Sequence, residues 1–164
     1  MAEPMLRGIL IIPLTLIVGL MLGLLPLPSI APPELNYLRP DWLGLVVVYW
    51  LLAAPEKVGV GFAFLVSLLG DLVFGTPLGF HGLVMVLMAA LILSSYQQLR
   101  MLEIWQQALL IAFALEILTC LQLIVLGVTD DRSHNFLILL RPLTSALVWP
   151  WVFLILRFCR LRYA

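Results

Sequence analysis

Long apolar stretches separated by short polar turns dominate the chain. Five of them cover 8–25, 42–54, 58–74, 79–95 and 105–128, and a sixth starts near 136 or 143 and ends at 157. A membrane-spanning helix needs about 20 mainly apolar residues, with a range of about 17–25. The pattern therefore predicts an all-α polytopic membrane protein with about six transmembrane helices, or five if the short second segment does not cross.

The second segment is the shortest of the six. Started at Pro40, a residue suited to the first helical position, it rises only about 23 Å at about 1.5 Å per residue. It either spans where the bilayer is locally thin or re-enters on the same side. Trp42 and Trp50 near its two ends are typical of the aromatic belts at membrane interfaces.

Composition indicates that lipid is the main solvent of the chain. Of its 164 residues, 63% are hydrophobic and 11% are charged, and the mean hydropathy is +1.14. A soluble domain carries about 25% charged residues. Net charge is zero and there is no basic run, which excludes nucleic-acid binding. No polar stretch is long enough to fold alone, so we expect 1–164 to form a single integral membrane domain.

Lysine and arginine positions predict the orientation, because cytoplasmic loops are enriched in both. Six helices would place both termini on one side. Six basic residues fall on that side and three on the other, which favours cytoplasmic termini; they are Arg7, Lys57, Arg100, Arg157, Arg160 and Arg162 against Arg39, Arg132 and Arg141. A cleaved signal peptide is the alternative for the first segment.

A stripe of small residues runs along the third segment. Gly59, Ala63 and Ser67 are spaced by four, a spacing that continues to Asp71, and Gly70 widens the stripe. Small residues let helix backbones approach closely in lipid. We interpret the stripe as a helix-packing face and as a candidate docking face for a partner helix.

Charged residues near the outer ends of the second and third segments form a candidate polar cluster. Asp71 either binds an ion or substrate or holds the turn that follows it, by capping or by pairing with Arg39 or Arg141. Asp41, next to the start of the second segment, suits the positive end of a helix dipole.

Glu116 lies near the middle of the fifth segment, where a charge is costly in lipid. Thr119 and Cys120 share its face, so this face should look inward or toward a partner helix. We interpret Glu116 as a binding or interface residue. Proton transport is an alternative that lacks a second acid or histidine at that depth, and a protonated, hydrogen-bonded carboxyl is another.

The sequence carries no recognisable catalytic motif. It has no His-Glu-x-x-His, no Gly-x-Ser-x-Gly and no glycine-rich phosphate loop. Asp71, His81 and His134 could meet on the outer face, but they give only a weak signal for a metal site. We therefore predict a protein that is not an enzyme and holds no metal or cofactor.

The stretch "LRPDWLGLVVVYWLLAAPEKVGVGFAFLVSLLGDLVFGTPLGFHGL" resembles the hallmark region of the rod shape-determining MreD family. Later stretches, "WQQALL" and "WPWVFL", resemble its proteobacterial branch. The resemblance covers nearly the whole chain. Its most specific features are Arg39-Pro40 before Trp42, the Tyr49-Trp50 pair, Pro55, Gly59 to Gly61, and Asp71 followed by Gly75, Leu78 and Gly79.

The resemblance implies a non-enzymatic scaffold of the bacterial inner membrane that supports cell elongation and lateral peptidoglycan synthesis. It implies direct binding of MreC and membership of one complex with MreB, RodA, a class B penicillin-binding protein and RodZ. Contact with membrane lipid is expected from the composition, and a homo-oligomer stays open. The resemblance also implies a fold similar to the substrate-binding subunits of energy-coupling-factor transporters, which keeps a small-ligand or transport subunit as the alternative function. Under this resemblance Arg39, Asp41 and Asp71 are a structural or interaction cluster near the outer face. Glu116 and Arg141, identified from their positions in the sequence, are further candidate partner-binding or structural residues.

Overall fold

A computed structural model describes residues 3–25, 38–129 and 139–163, and these residues form α-helices without a β-strand. The all-α prediction is thereby confirmed for the described part of the chain. The six helices are α1 (Glu3–Leu24), α2 (Trp42–Ala53), α3 (Val60–Phe74), α4 (Phe80–Met101), α5 (Ile104–Thr129) and α6 (Arg141–Tyr163).

Two stretches of the described helices, Phe80–Met101 and Arg141–Arg162, are long and apolar enough to cross a membrane by length and composition. Shorter apolar helical stretches cover Leu10–Leu24, Trp42–Ala53, Val60–Phe74 and Ile104–Ile117. The number of membrane-spanning helices and the orientation of the chain stay predictions.

Helix α2 is the buried centre of the fold. Every residue from Leu43 to Leu52 is buried, and the helix packs against α1, α3, α4 and α6. Its 12 residues extend only about 18 Å, less than the roughly 30 Å thickness of the hydrocarbon core. Protein rather than lipid surrounds it, so its length need not match the bilayer. Its sequence lacks a polar face because every side of the helix is covered.

The aromatic-belt interpretation of Trp50 is wrong. The side chain is 2% exposed, and its indole Nε1 donates a hydrogen bond to Thr15 Oγ1 at 2.8 Å. The neighbouring Tyr49 ring packs edge-on against Trp50 and against Phe153, with centroids 5.4 and 5.6 Å away. These aromatic rings join α1, α2 and α6 inside the core.

Two glycines set the turn between α3 and α4. Gly75 ends α3 with φ +67°, and Gly79 precedes α4 with φ +87°. Residues with a β-carbon rarely adopt these positive φ values. The turn is therefore specified locally, and it brings α3 into extensive packing against α4.

Candidate functional site

A polar cavity of about 300 Å³ lies at the start of α2, where it meets the ends of α1 and α3 and the starts of α4 and α6. Leu43, Phe74 and Met85 are among its apolar lining residues. The polar part of its lining comes from Arg39, Asp41, Ser67, Thr76, His81 and Arg141. The fold thus brings three of the sequence-predicted charged residues, Arg39, Asp41 and Arg141, to one cavity.

Asp71 holds the turn between α3 and α4. Its side chain is 0% exposed. Oδ1 accepts hydrogen bonds from Thr76 Oγ1 at 2.8 Å and from the His81 amide at 3.3 Å, and it lies 2.6 Å from His81 Nδ1. Oδ2 accepts from the Gly79 amide at 2.9 Å. The expected pairing with Arg39 or Arg141 is therefore wrong: His81 is the partner, and both carboxylate oxygens are already bound within the chain.

A second polar group joins the start of α2 to the start of α6. Asp41 caps α2 by accepting from the Gly44 amide at 3.2 Å. Ser145, fully buried, accepts from the Asp41 amide at 3.1 Å and donates to the Arg141 carbonyl at 3.0 Å. Arg141 Nη2 lies 3.8 Å from Asp41 Oδ1. Both side chains are partly exposed, so this ion pair contributes little by itself.

Arg39 ties the segment before α2 to the end of α1. Its guanidinium donates to the Leu22 carbonyl at 3.3 Å and to the Leu25 carbonyl. A cation beside the last carbonyls of a helix is favoured by the helix dipole. Arg39 and Arg141 outnumber Asp41 among the charged lining residues, so the cavity is on balance positive.

Thr76, His81 and Asp71 do not form a catalytic triad. Thr76 Oγ1 lies 3.4 Å from His81 Nδ1, and Asp71 Oδ1 contacts the same nitrogen. A triad needs the two ring nitrogens to serve the nucleophile and the carboxylate separately. The Ser67 hydroxyl donates to the Ala63 carbonyl of its own helix at 2.8 Å. The arrangement fixes helices and can receive a small polar or anionic group.

The small-residue stripe of α3 faces the interior of the chain. Ala63 and Ser67 are 0% and 2% exposed, and Gly70 is buried. A β-carbon added to Gly70 would lie 2.8 Å from Leu43 Cδ2 of α2. Gly59 caps the start of α3 and has open space around its own β-carbon position. The expectation that this stripe receives a partner helix is therefore wrong.

Glu116 lies apart from the polar cavity. It is half-buried on α5, beside the exposed side chains of Phe113 (67%) and Ile117 (53%). Thr119 shares its face but donates to the Leu115 carbonyl of the same helix at 2.8 Å, and Cys120 is exposed. The structure does not bring Glu116 together with the other predicted charged residues.

Sequence reasoning missed Ser145 and Thr76 as members of the site. Ser145 comes four residues after Arg141, a helical spacing that places both on one face. Thr76 lies inside the glycine turn after Asp71, where short polar side chains commonly bind nearby backbone or side-chain groups. His134 and Arg132 lie outside the described residues, and Arg7 is described only as part of the backbone of α1.

Comparison with known proteins identifies relatives of the chain. The family model of the rod shape-determining protein MreD matches residues 5–159. The rod shape-determining protein MreD of Haemophilus influenzae is 38% identical over 126 residues, which cover 77% of this chain and 78% of that protein. No solved structure matches the chain, so the likeness to transporter subunits stays a prediction. The chain belongs to the rod shape-determining protein MreD family.

Proposed function

We propose that the protein is a non-enzymatic scaffold of the cell-elongation complex that binds MreC directly within the membrane. Family membership supports a role in rod shape, and the apolar helices suit a membrane protein. Through MreC the scaffold acts with MreB, RodA, the class B penicillin-binding protein and RodZ in lateral peptidoglycan synthesis. It lies in the inner membrane with both termini in the cytoplasm.

The scaffold proposal rests on one observation: the polar groups around the cavity form hydrogen bonds within the chain. Asp71, Ser145 and Arg39 bind groups of the same chain and thereby connect helices. The reactive groups described there include no nucleophile with its own base. These polar groups are already bound within the chain and are not available to a substrate. We therefore expect the protein to act through contacts at its surface.

The outer face of α5 around Glu116 is the surface we propose for MreC. Helix α5 packs mainly on α6 and less on α4, and its exposed side chains include Phe113 and Ile117. A carboxylate on such a face is costly in lipid. The single membrane-spanning helix of MreC would cover Glu116 and hydrogen-bond to it, since close packing and interhelical hydrogen bonds drive helix association in lipid.

Co-purification of the tagged protein with untagged MreC in nanodiscs tests the proposal. Glu116→Leu should weaken MreC capture by about five- to thirtyfold, because an interhelical hydrogen bond contributes about 1–2 kcal/mol in model peptides. Glu116→Gln, which keeps a hydrogen-bonding group, should retain most of the binding. Glu103→Leu is the matched control, because Glu103 is exposed at the start of the same helix.

Failure of the wild-type protein to capture MreC would refute direct binding. Equal losses for Glu116→Leu and Glu103→Leu would leave direct binding standing but remove the α5 face as its location. Rounded cells on disruption would support the role in elongation, and normal rods would oppose it.

The alternative function, a small-ligand or transport subunit, has less support from the cavity. Its volume of about 300 Å³ is at the lower limit of pockets that enclose a drug-sized ligand, which span about 300–1,000 Å³. Asp71, the carboxylate that a ligand would be expected to use, is already bound on both oxygens.

A further inference from the structure

A second cavity lies at the opposite end of α2, away from the polar cavity at the start of that helix. Its volume is about 220 Å³. It lies where the end of α2, the last turn of α4, the start of α5 and the last turns of α6 come together. Its polar lining consists of Tyr49, Arg100, Gln107, Arg157 and Arg160.

The lining of this basic cavity carries three guanidinium groups and no carboxylate. Arg160 is held in place, because its Nη1 donates to the Ala53 carbonyl at the end of α2 at 2.8 Å. Arg100 and Arg157 are exposed, and their guanidinium groups make no hydrogen bond with the residues that the structure describes. An adjoining cavity shares Arg100 and Arg160 and adds Lys57, with Glu56 as the one acid of its lining. The charge at this end of the fold therefore favours an anion.

Two buried polar atoms in the lining lack a partner among the described residues. Tyr49 is 1% exposed and Gln107 is 4% exposed, yet Tyr49 Oη and Gln107 Oε1 make no hydrogen bond. The Gln107 amide cannot simply be turned around, because its Nε2 donates to the carbonyls of Leu99 at 2.9 Å and Leu102 at 3.2 Å. Buried polar groups are nearly always hydrogen-bonded, so these two atoms point to a ligand.

We propose that the basic cavity binds a phosphate group, carried either by the headgroup of an anionic membrane lipid or by free phosphate. Planar guanidinium groups match phosphate oxygens with paired hydrogen bonds. The Tyr49 hydroxyl donates to a phosphate oxygen, and Gln107 Oε1 accepts from a hydroxyl of the same ligand. A phosphoglycerol headgroup carries both the phosphate and the hydroxyl groups, and basic pockets between membrane helices are where anionic headgroups bind.

Native mass spectrometry of the full-length protein tests the site, with phosphatidylglycerol and phosphatidylcholine of identical acyl chains as probes and with inorganic phosphate in a separate arm. The wild type should retain phosphatidylglycerol over phosphatidylcholine, or bind inorganic phosphate. Arg100→Gln and Arg157→Gln should each reduce that binding by about tenfold, because each removes a charge-assisted contact. The arm that responds identifies the source of the phosphate group.

Arg162→Gln is the matched control. Arg162 lies on the same helix end and carries the same charge, but it sits over the Phe158 ring, 5.8 Å from its centroid, and does not line the cavity. It should change binding less than twofold. Tyr49→Phe removes one oxygen atom without removing a charge, and it should weaken binding several-fold while the variant elutes as the wild type does.

Three results would overturn the proposal. The first is that neither phosphatidylglycerol nor inorganic phosphate binds the wild type. The second is that Arg162→Gln weakens binding as much as Arg157→Gln, which would indicate a diffuse charge effect. The third is that the cavity variants bind phosphate normally but lose MreC, which would make the cavity a protein-docking surface. Loss of MreC binding on the α5 face alone would leave the phosphate site untouched.

Discussion

Oδ1 of Asp71 lies 2.6 Å from Nδ1 of His81, across the turn that joins α3 to α4. The same carboxylate accepts from Thr76 and from the Gly79 amide. An acidic residue in an apolar segment is thereby explained by the turn that follows it. The buried carboxylate binds the Thr76 hydroxyl, the Gly79 amide and the His81 amide, and it thereby fixes how α4 leaves α3.

Asp71→Asn should lower the free energy of unfolding by about 1–3 kcal/mol, the usual cost of leaving a buried hydrogen-bond donor without its acceptor. The amide keeps the shape of the side chain but cannot accept at both ends. Thermal unfolding in detergent measures the loss. Glu56→Gln, on an exposed carboxylate, is the control and should be neutral. An Asp71→Asn protein as stable as the wild type would show that the turn does not depend on the carboxylate.

Asp41→Ala should cost about 1 kcal/mol through loss of the helix cap on α2. Asp41→Asn should cost much less, since asparagine caps helices as well as aspartate does and the pair with Arg141 is long and partly exposed. Unfolding of the two variants side by side separates the cap from the ion pair. Equal losses would mean that the charge, and not the cap, is what stabilises this junction.

Gly44→Ala should destabilise the packing of α2 against α4. The added β-carbon would lie 2.5 Å from Asp41 Oδ2 and 2.7 Å from Met85 Cε. Both atoms are the ends of side chains that can move, so we expect a cost of about 1 kcal/mol, the low end of the range for overpacking. Gly61→Ala in α3 is the matched control, because nothing lies within 4 Å of its β-carbon position. Gly61→Ala should be neutral or slightly stabilising in the same unfolding assay. A neutral Gly44→Ala would contradict the close approach.

Thr15→Val should destabilise the contact between α1 and α2. The substitution leaves the buried indole N–H of Trp50 without its acceptor, a loss of about 1–3 kcal/mol. Thr144→Val controls for the change of side chain, because the Thr144 hydroxyl donates only to the Arg141 carbonyl of its own helix. If both variants lose equal stability, the Trp50 hydrogen bond is not what joins the two helices.

The positions of the helices could be predicted from the local sequence. The hydrogen-bond partners of their side chains could be predicted only in part. The second helix was predicted to start at Pro40, and α2 begins two residues later at Trp42. The third segment was predicted to end at Phe74, as α3 does, because a glycine turn follows it. Asp71 and His81 are ten residues apart and share a turn. Asp41 and Ser145 are 104 residues apart, and only the packed fold brings them together.

The burial of α2 within the protein could not be predicted from the sequence pattern either. An apolar run looks the same whether lipid or protein surrounds it, so Trp50 was assigned to an aromatic belt although it lies in the core. The packing face of α3 was identified by its small residues, but the helix that packs against it could not be identified from the sequence. Periodicity shows which face packs and leaves open whether it packs against the same chain or another.

Site-specific photocrosslinking in growing cells tests direct MreC binding most directly. A benzophenone side chain would replace Phe113 on α5 or Leu65 on α3, two similarly exposed apolar positions. We predict an MreC adduct from position 113 and none from position 65. Absence of an MreC adduct from 113, and from a scan of the other exposed apolar positions in a correctly inserted protein, would contradict direct binding of MreC.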